Sequence, residues 1–170
     1  GTQVGGNRWA DIGQLFETLA FGSRARLARR QGTRRVLCYP ELFALALAGA
    51  FATAAFDTVS SEVGKAYGRR TYLITTLRSV PRGTDGAVSL EGTVSGMAAA
   101  LLLAGLGAAL DLYPAAGIGA VAVAAFLATT LESVVGATLE KRGLLDNEAV
   151  NFLNSLAGAL LAAAGGALLL

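Results

Sequence analysis

Four stretches of the chain, at about 40–56, 94–112, 115–131 and 149–170, are predominantly apolar, and each is close to the roughly 20 residues that cross a bilayer core. Met97 to Leu110 and Ala115 to Ala128 lack the polar stripe that a soluble bundle needs along each helix. The pattern therefore predicts an all-α, polytopic transmembrane bundle of about four spans. Pro40 suits a helix start. Gly92 and Gly96, four apart, offer a close-approach site for helix packing.

Ahead of these spans the periodicity changes. Trp9, Ile12, Phe16 and Leu19 recur at spacings of three and four, with Asp11, Gln14 and Glu17 off that face. An amphipathic interfacial helix is expected over residues 1–22, followed by a basic linker over 23–35. The division expected is an interfacial segment, 1–36, and a membrane domain, 37–170.

Composition supports the membrane reading: 54% of residues are hydrophobic, 15% are charged and the mean hydropathy is +0.54. The net charge of +2 conceals an asymmetry, because seven of the 14 basic residues occur by Arg35 against Asp11 and Glu17. Anionic headgroups are the expected partner of that end; no nucleic-acid motif accompanies it. A single cysteine, Cys38, allows no internal disulfide, and the chain has no histidine. Any metal must then be held by oxygen, which favours magnesium or a similar hard ion. The chain starts at Gly1 without an initiator Met and reads as a fragment or processed product.

Polar residues gather where the apolar runs end. Counting crossings puts the 57–93 segment and the 132–148 connection on the same side of the membrane, so their side chains can meet. On a continuous helix Asp57, Ser60, Ser61 and Gly64 share one face and Thr58, Glu62 and Lys65 another, so the two acids point apart. The loop from Pro81 to Gly92 carries Gly83, Gly86 and Gly92, which tolerate positive φ and can turn backbone N–H groups towards an anion. Lys65, Arg78 and Arg82 add positive charge. In the second cluster Glu132, Gly136 and Glu140 lie at spacings of four. Asn147, Asn151, Asn154 and Gly158 form a stripe that must face protein. For Asn154, interhelical amide bonding and a role in the site stand level.

Read in order, Asp57-Thr-Val-Ser-Ser-Glu-Val-Gly-Lys-Ala-Tyr-Gly, Tyr72-Leu-Ile-Thr-Thr, Val80-Pro-Arg-Gly-Thr-Asp-Gly-Ala-Val-Ser-Leu-Glu-Gly-Thr, Glu132-Ser-Val-Val-Gly-Ala-Thr and Asn147-Glu-Ala-Val-Asn resemble the integral-membrane phytyl-phosphate kinase family of tocopherol (vitamin E) biosynthesis, nearest its plant and algal plastid members. The likeness covers about residues 38–160. It implies conversion of phytyl phosphate to phytyl diphosphate with a nucleoside triphosphate, CTP favoured, in a multi-pass chloroplast membrane protein of the envelope.

Phosphoryl transfer to a phosphate monoester suits a chain without histidine, since the acceptor's second pKa of about 6 leaves it largely dianionic and no base is required. The expected catalytic residues are Asp57, Glu62 and Arg82. Magnesium ligands are expected from Asp57, Glu62, Glu91 and Glu132. Phosphate and nucleotide contacts are expected from Lys65, Arg78, Gly83, Thr84, Asp85, Gly86, Asn147 and Asn151. The isoprenoid tail is expected between spans, entering from the bilayer, with a homo-oligomer left open. Two alternatives remain: a phytol or polyprenol kinase, with Asp57 or Glu62 as base, and an ion-coupled transporter. The transporter would call for an inverted repeat, and the short match of Ser61-Glu62-x-Gly64 with Glu132-Ser133-x-x-Gly136 is too brief to supply one.

Overall fold

The structure is a computed structural model that describes residues 39–169. The interfacial helix and basic linker expected over 1–36 lie outside the described residues. Four helices form the bundle: α1 (Tyr39–Tyr67), α2 (Leu90–Ala109), α3 (Gly117–Val135), extended by a π-helical turn over Gly136–Glu140, and α4 (Asn147–Leu169). All four are long and apolar enough to cross a membrane. The expected all-α transmembrane bundle is therefore what forms.

Two elements depart from the sequence reading. Helix α1 does not end at Phe56 but runs on through the polar segment to Tyr67, because no proline interrupts it and polar side chains do not by themselves stop a helix. The following loop then folds into a small antiparallel ribbon, β1 (Thr71–Leu73) paired with β2 (Ala87–Ser89) in the register Thr71–Ser89, Tyr72–Val88 and Leu73–Ala87.

Small residues set the helix contacts. The buried stripe of α2 is Gly92, Gly96, Ala100, Ala104 and Gly107. A Cβ on Gly96 would stand 2.7 Å from the Phe56 carbonyl oxygen, so α2 lies directly on the backbone of α1. Gly49 and Gly158 play the same part between α1 and α4, where a Cβ on Gly49 would come within 2.5 Å of the Gly158 carbonyl oxygen. Apolar lipid offers no hydrophobic force between helices, so such close backbone contact supplies the attraction. Leu45, Ala52, Val121, Ala125 and Ala162 fill the interior, while Phe43, Phe51, Leu102 and Leu160 face outward, as lipid-facing side chains must.

Caps and turns fix the ends. Ser89 adopts an extended conformation and its Oγ accepts the Gly92 N–H at 3.1 Å, capping α2. Asp146 Oδ1 accepts the Ala149 N–H at 2.8 Å and caps α4. At the opposite end Tyr113 is 4% exposed and donates its hydroxyl to the Ala104 carbonyl at 2.8 Å, tying the α2–α3 turn to α2.

Candidate functional site

The C-terminal turns of α1 bring the first cluster into place. Ser60 Oγ donates to the Asp57 carbonyl at 3.0 Å, and Ser61 Oγ donates to Asp57 Oδ1 at 3.4 Å. Five residues on, about 140° around a regular helix, Glu62 faces elsewhere and pairs with Lys65 at 3.0 Å on an exposed surface. The two acids point apart, as a continuous helix requires.

The second cluster comes from α3 and α4. The carboxyls of Glu132 and Asp57 adjoin across the α1–α3 contact, and Asn154 Nδ2 donates to Glu132 Oε2 at 2.5 Å from α4. Asn154 thus bonds between helices and does so to the acid of the cluster. After Glu132 the helix changes register: the Lys141 N–H reaches back five residues to the Gly136 carbonyl at 3.3 Å. That change alters the four-residue spacing expected of Glu132, Gly136 and Glu140.

The glycine-rich loop closes the site. Gly83 and Gly86 have φ of +80° and +72°, the conformation expected of them. Gly86 is also a point of contact, since a Cβ there would lie 2.5 Å from both Ala137 Cβ and the Ser133 carbonyl oxygen. Gly92 departs from expectation: it lies in the first turn of α2, buried against α1, and takes no part in the loop's positive-φ geometry.

Between these parts lies a cavity of about 360 Å³. It is lined by Asp57, Glu62, Lys65, Gly83, Thr84, Asp85, Gly86, Glu132, Asn147 and Asn151 among the expected residues. Both polar clusters therefore meet at one end of the bundle. Arg78, Arg82 and Glu91 stand apart from it. Arg82 is exposed and donates Nη1 to the Ala66 carbonyl at 3.3 Å. Arg78 is exposed on the ribbon, and Glu91 lines a separate groove with Arg69, Arg70 and Tyr72. The cavity also takes in Thr129, Ser133 and Glu140, which the sequence reading left outside its site. Thr129 precedes Glu132 by three residues, and that spacing was the available signal.

The expected four-acid metal set does not assemble. Among the described residues no three carboxylate or thiolate side chains converge, because Glu62 stays on the exposed rim of the cavity, paired with Lys65, and the N-terminus of α2 carries Glu91 to the other groove. What remains is the Asp57–Glu132 pair, backed by neutral oxygen atoms.

Comparison with known proteins assigns the chain. Residues 4–159 match the integral membrane protein family DUF92. The chain belongs to that family. This DUF92 protein is 54% identical over 120 residues to an uncharacterized membrane protein of Synechocystis, covering 70% of this chain and 46% of the relative. It is 42% identical over 127 residues to the Arabidopsis thaliana protein named "Protein VTE6, chloroplastic", covering 73% of this chain and 38% of the relative. An uncharacterized membrane protein of Methanocaldococcus jannaschii is 38% identical over 112 residues, covering 65% of this chain and 46% of the relative. The chain thus matches less than half the length of each of these relatives. They come from a cyanobacterium, a plant and an archaeon, so the DUF92 protein's family membership assigns a membrane and no particular organelle. No solved structure matches the chain.

Proposed function

We propose that this DUF92 protein is a membrane isoprenoid-phosphate kinase that uses a nucleoside triphosphate, CTP in the first instance, to convert phytyl phosphate to phytyl diphosphate. The observation that carries the reading is a cavity at one end of an apolar bundle, which joins a carboxyl pair, a lysine, a glycine-rich loop and two amides. The resemblance of the motifs to phytyl-phosphate kinases supports it, and the chloroplastic relative supports a plastid envelope location where the organism has one.

In this mechanism an oxygen of the acceptor phosphate attacks the γ-phosphorus of the nucleotide, and the bond to the β-phosphate oxygen breaks. The products are phytyl diphosphate and the nucleoside diphosphate. A dianionic acceptor needs no general base, so the chain's lack of histidine costs nothing. Positioning and charge compensation do the work. Among the described residues the N–H groups of Gly83 and Gly86 have no backbone acceptor and are free to meet phosphate oxygens. Lys65 supplies positive charge beside them, and Asn147 and Asn151 orient the nucleotide or the acceptor. The donor atoms at Asp57 and Glu132 are all oxygen, a set that fits magnesium. Bound there, magnesium would supply charge neutralisation to the donor phosphates. Phe56 and Phe126, edge to face at 6.2 Å, line the apolar side of the cavity, and the isoprenoid chain lies along it.

The test is an assay of the purified protein in detergent with labelled CTP or ATP against phytol, phytyl phosphate and geranylgeranyl phosphate. Label in a diphosphate formed from the monophosphates is expected. Label on phytol instead would make the protein an alcohol kinase with Asp57 as its base, and no transfer to any acceptor would overturn the kinase reading.

A further inference from the structure

The Asp57 and Glu132 carboxyls adjoin, Glu140 adds a further negative charge near Glu132, and among the described residues only Lys65 brings positive charge near them. Among the described residues Lys65 is the one basic residue lining their cavity, and its ammonium group is held by Glu62 at 3.0 Å. Adjacent carboxylates repel unless a proton or a cation lies between them.

Among the described residues two buried oxygens near Glu132 lack partners. Thr129 is 6% exposed, lines the same cavity, and its Oγ1 makes no hydrogen bond. Its neighbours behave differently: the hydroxyls of Thr130, Ser133 and Thr138 each donate to the carbonyl four residues earlier, at 2.7, 3.0 and 2.7 Å. Asn154 is 4% exposed; its Nδ2 is engaged by Glu132 and its Oδ1 is unpartnered. A buried oxygen without a partner costs about 1–3 kcal/mol, so two of them beside a carboxyl pair mark a place built for a ligand that accepts oxygen donors. Thr53 Oγ1, also unpartnered, lies one turn deeper, against Gly158, and is not needed.

We infer that Asp57, Glu132, Thr129 Oγ1 and Asn154 Oδ1 form a divalent-cation site, and that it fills in the absence of nucleotide. Two carboxylates match the charge of such an ion, and neutral oxygens complete the donor set without a third acid. Asn154 also acts through its amide nitrogen, which fixes the orientation of Glu132 as outer partners of metal ligands do. The inference deepens the kinase reading and rests on it for the use made of the ion; binding itself requires neither nucleotide nor lipid.

The test is a manganese titration of the purified protein in detergent, without nucleotide, read by the loss of the free-ion electron paramagnetic resonance signal. One saturable site is expected in the wild type and none in Asp57→Asn or Glu132→Gln. Thr129→Val, which keeps the shape and removes the oxygen, should weaken binding at least about tenfold, and Thr129→Ser should restore it. Asn154→Leu should weaken it by about ten- to a hundredfold. Far-ultraviolet circular dichroism checks folding, and Thr129→Val decides the matter where a carboxyl variant fails to fold. Absence of manganese binding by the wild type, binding only with nucleotide present, or wild-type affinity in Thr129→Val would each overturn the inference. Manganese binding without transfer to any isoprenoid acceptor would refute the kinase and leave the site standing.

Discussion

Two glycines of the cavity loop share a backbone conformation and differ in what surrounds them, which gives a quantitative test of how the loop is held. Gly83 and Gly86 have φ of +80° and +72°, so alanine at either position meets the same left-handed strain of about 1–2 kcal/mol. At Gly83 the added Cβ finds nothing nearer than Lys65 Cγ at 4.0 Å. At Gly86 it meets Ala137 Cβ and the Ser133 carbonyl oxygen at 2.5 Å and the Ala137 nitrogen at 2.8 Å, all on α3 and its π turn. Two of those three atoms are backbone and cannot rotate away. Overpacking of this kind adds about 1–3 kcal/mol, and relief comes by lifting the loop from α3.

The difference between the two variants converts to roughly five- to 150-fold in the population of the lifted loop. Limited trypsin digestion of the detergent-purified protein reads that population, because Arg82 lies in the loop and cleavage follows the open fraction when reclosing is fast. Gly86→Ala should be cut after Arg82 at least about fivefold faster than Gly83→Ala. Equal rates for the two would show that Gly86 does not clasp the loop to α3 and would remove one wall of the cavity.

Tyr113→Phe removes the hydroxyl's bond to the Ala104 carbonyl, which keeps its helical donor, and should cost about 0.5–1.5 kcal/mol, seen as a lower Tm. Burial pushes the Tyr113 phenol up from its ordinary value. This contribution to stability is therefore complete below about pH 10 and is lost as pH rises through the raised value; the same alkaline profile in the wild type and in Tyr113→Phe would refute it. Gly158→Ala should lower Tm, because its Cβ would meet Thr53 Cβ at 2.8 Å, whereas Gly119→Ala, with nothing within 4 Å, should leave the stability unchanged or raise it by up to about 1 kcal/mol, with Tm holding or rising. Arg82→Ala removes one exposed hydrogen bond to Ala66 and no cavity wall, so KM for CTP should change by less than about fivefold; a larger rise would bring the arginine into the site.

The spans were legible because lipid demands apolar side chains on every face, and the convergence of the two clusters followed from counting crossings. The extension of α1 was legible only in part: a continuous helix past Phe56 sets Asp57 and Glu62 apart, but the sequence did not mark its end at Tyr67. Asp57, Ser60 and Ser61 read as the end of an apolar run, yet in the structure they turn inward, towards Glu132 and the cavity. The ribbon strands are three residues each, too short for alternation to register. The π turn is a shift of hydrogen-bond partner from four residues to five and leaves no mark in composition. Thr129 was hidden beside Thr130 in the apolar run Val121 to Leu131, where a threonine usually satisfies its own helix.

The small-residue contacts and the polar cluster are parts of one arrangement. Glycine within a helix costs about 1 kcal/mol relative to alanine, and α1 and α4 meet at Gly49 and Gly158 so closely that no Cβ fits on either. One turn from Gly158 is Asn154, and one turn from Gly49 is Thr53 with Asp57 a turn beyond. The depth of the helix contact thus sets how far the Asn154 amide reaches, and it reaches Glu132 on α3. A bulkier contact would move α4 outward and take the amide from the carboxyl, leaving a buried acid with one partner fewer. The helices therefore give up intrinsic propensity at the glycines and gain a rigid seat, contributed by three helices, for charged groups that an apolar bundle would otherwise exclude.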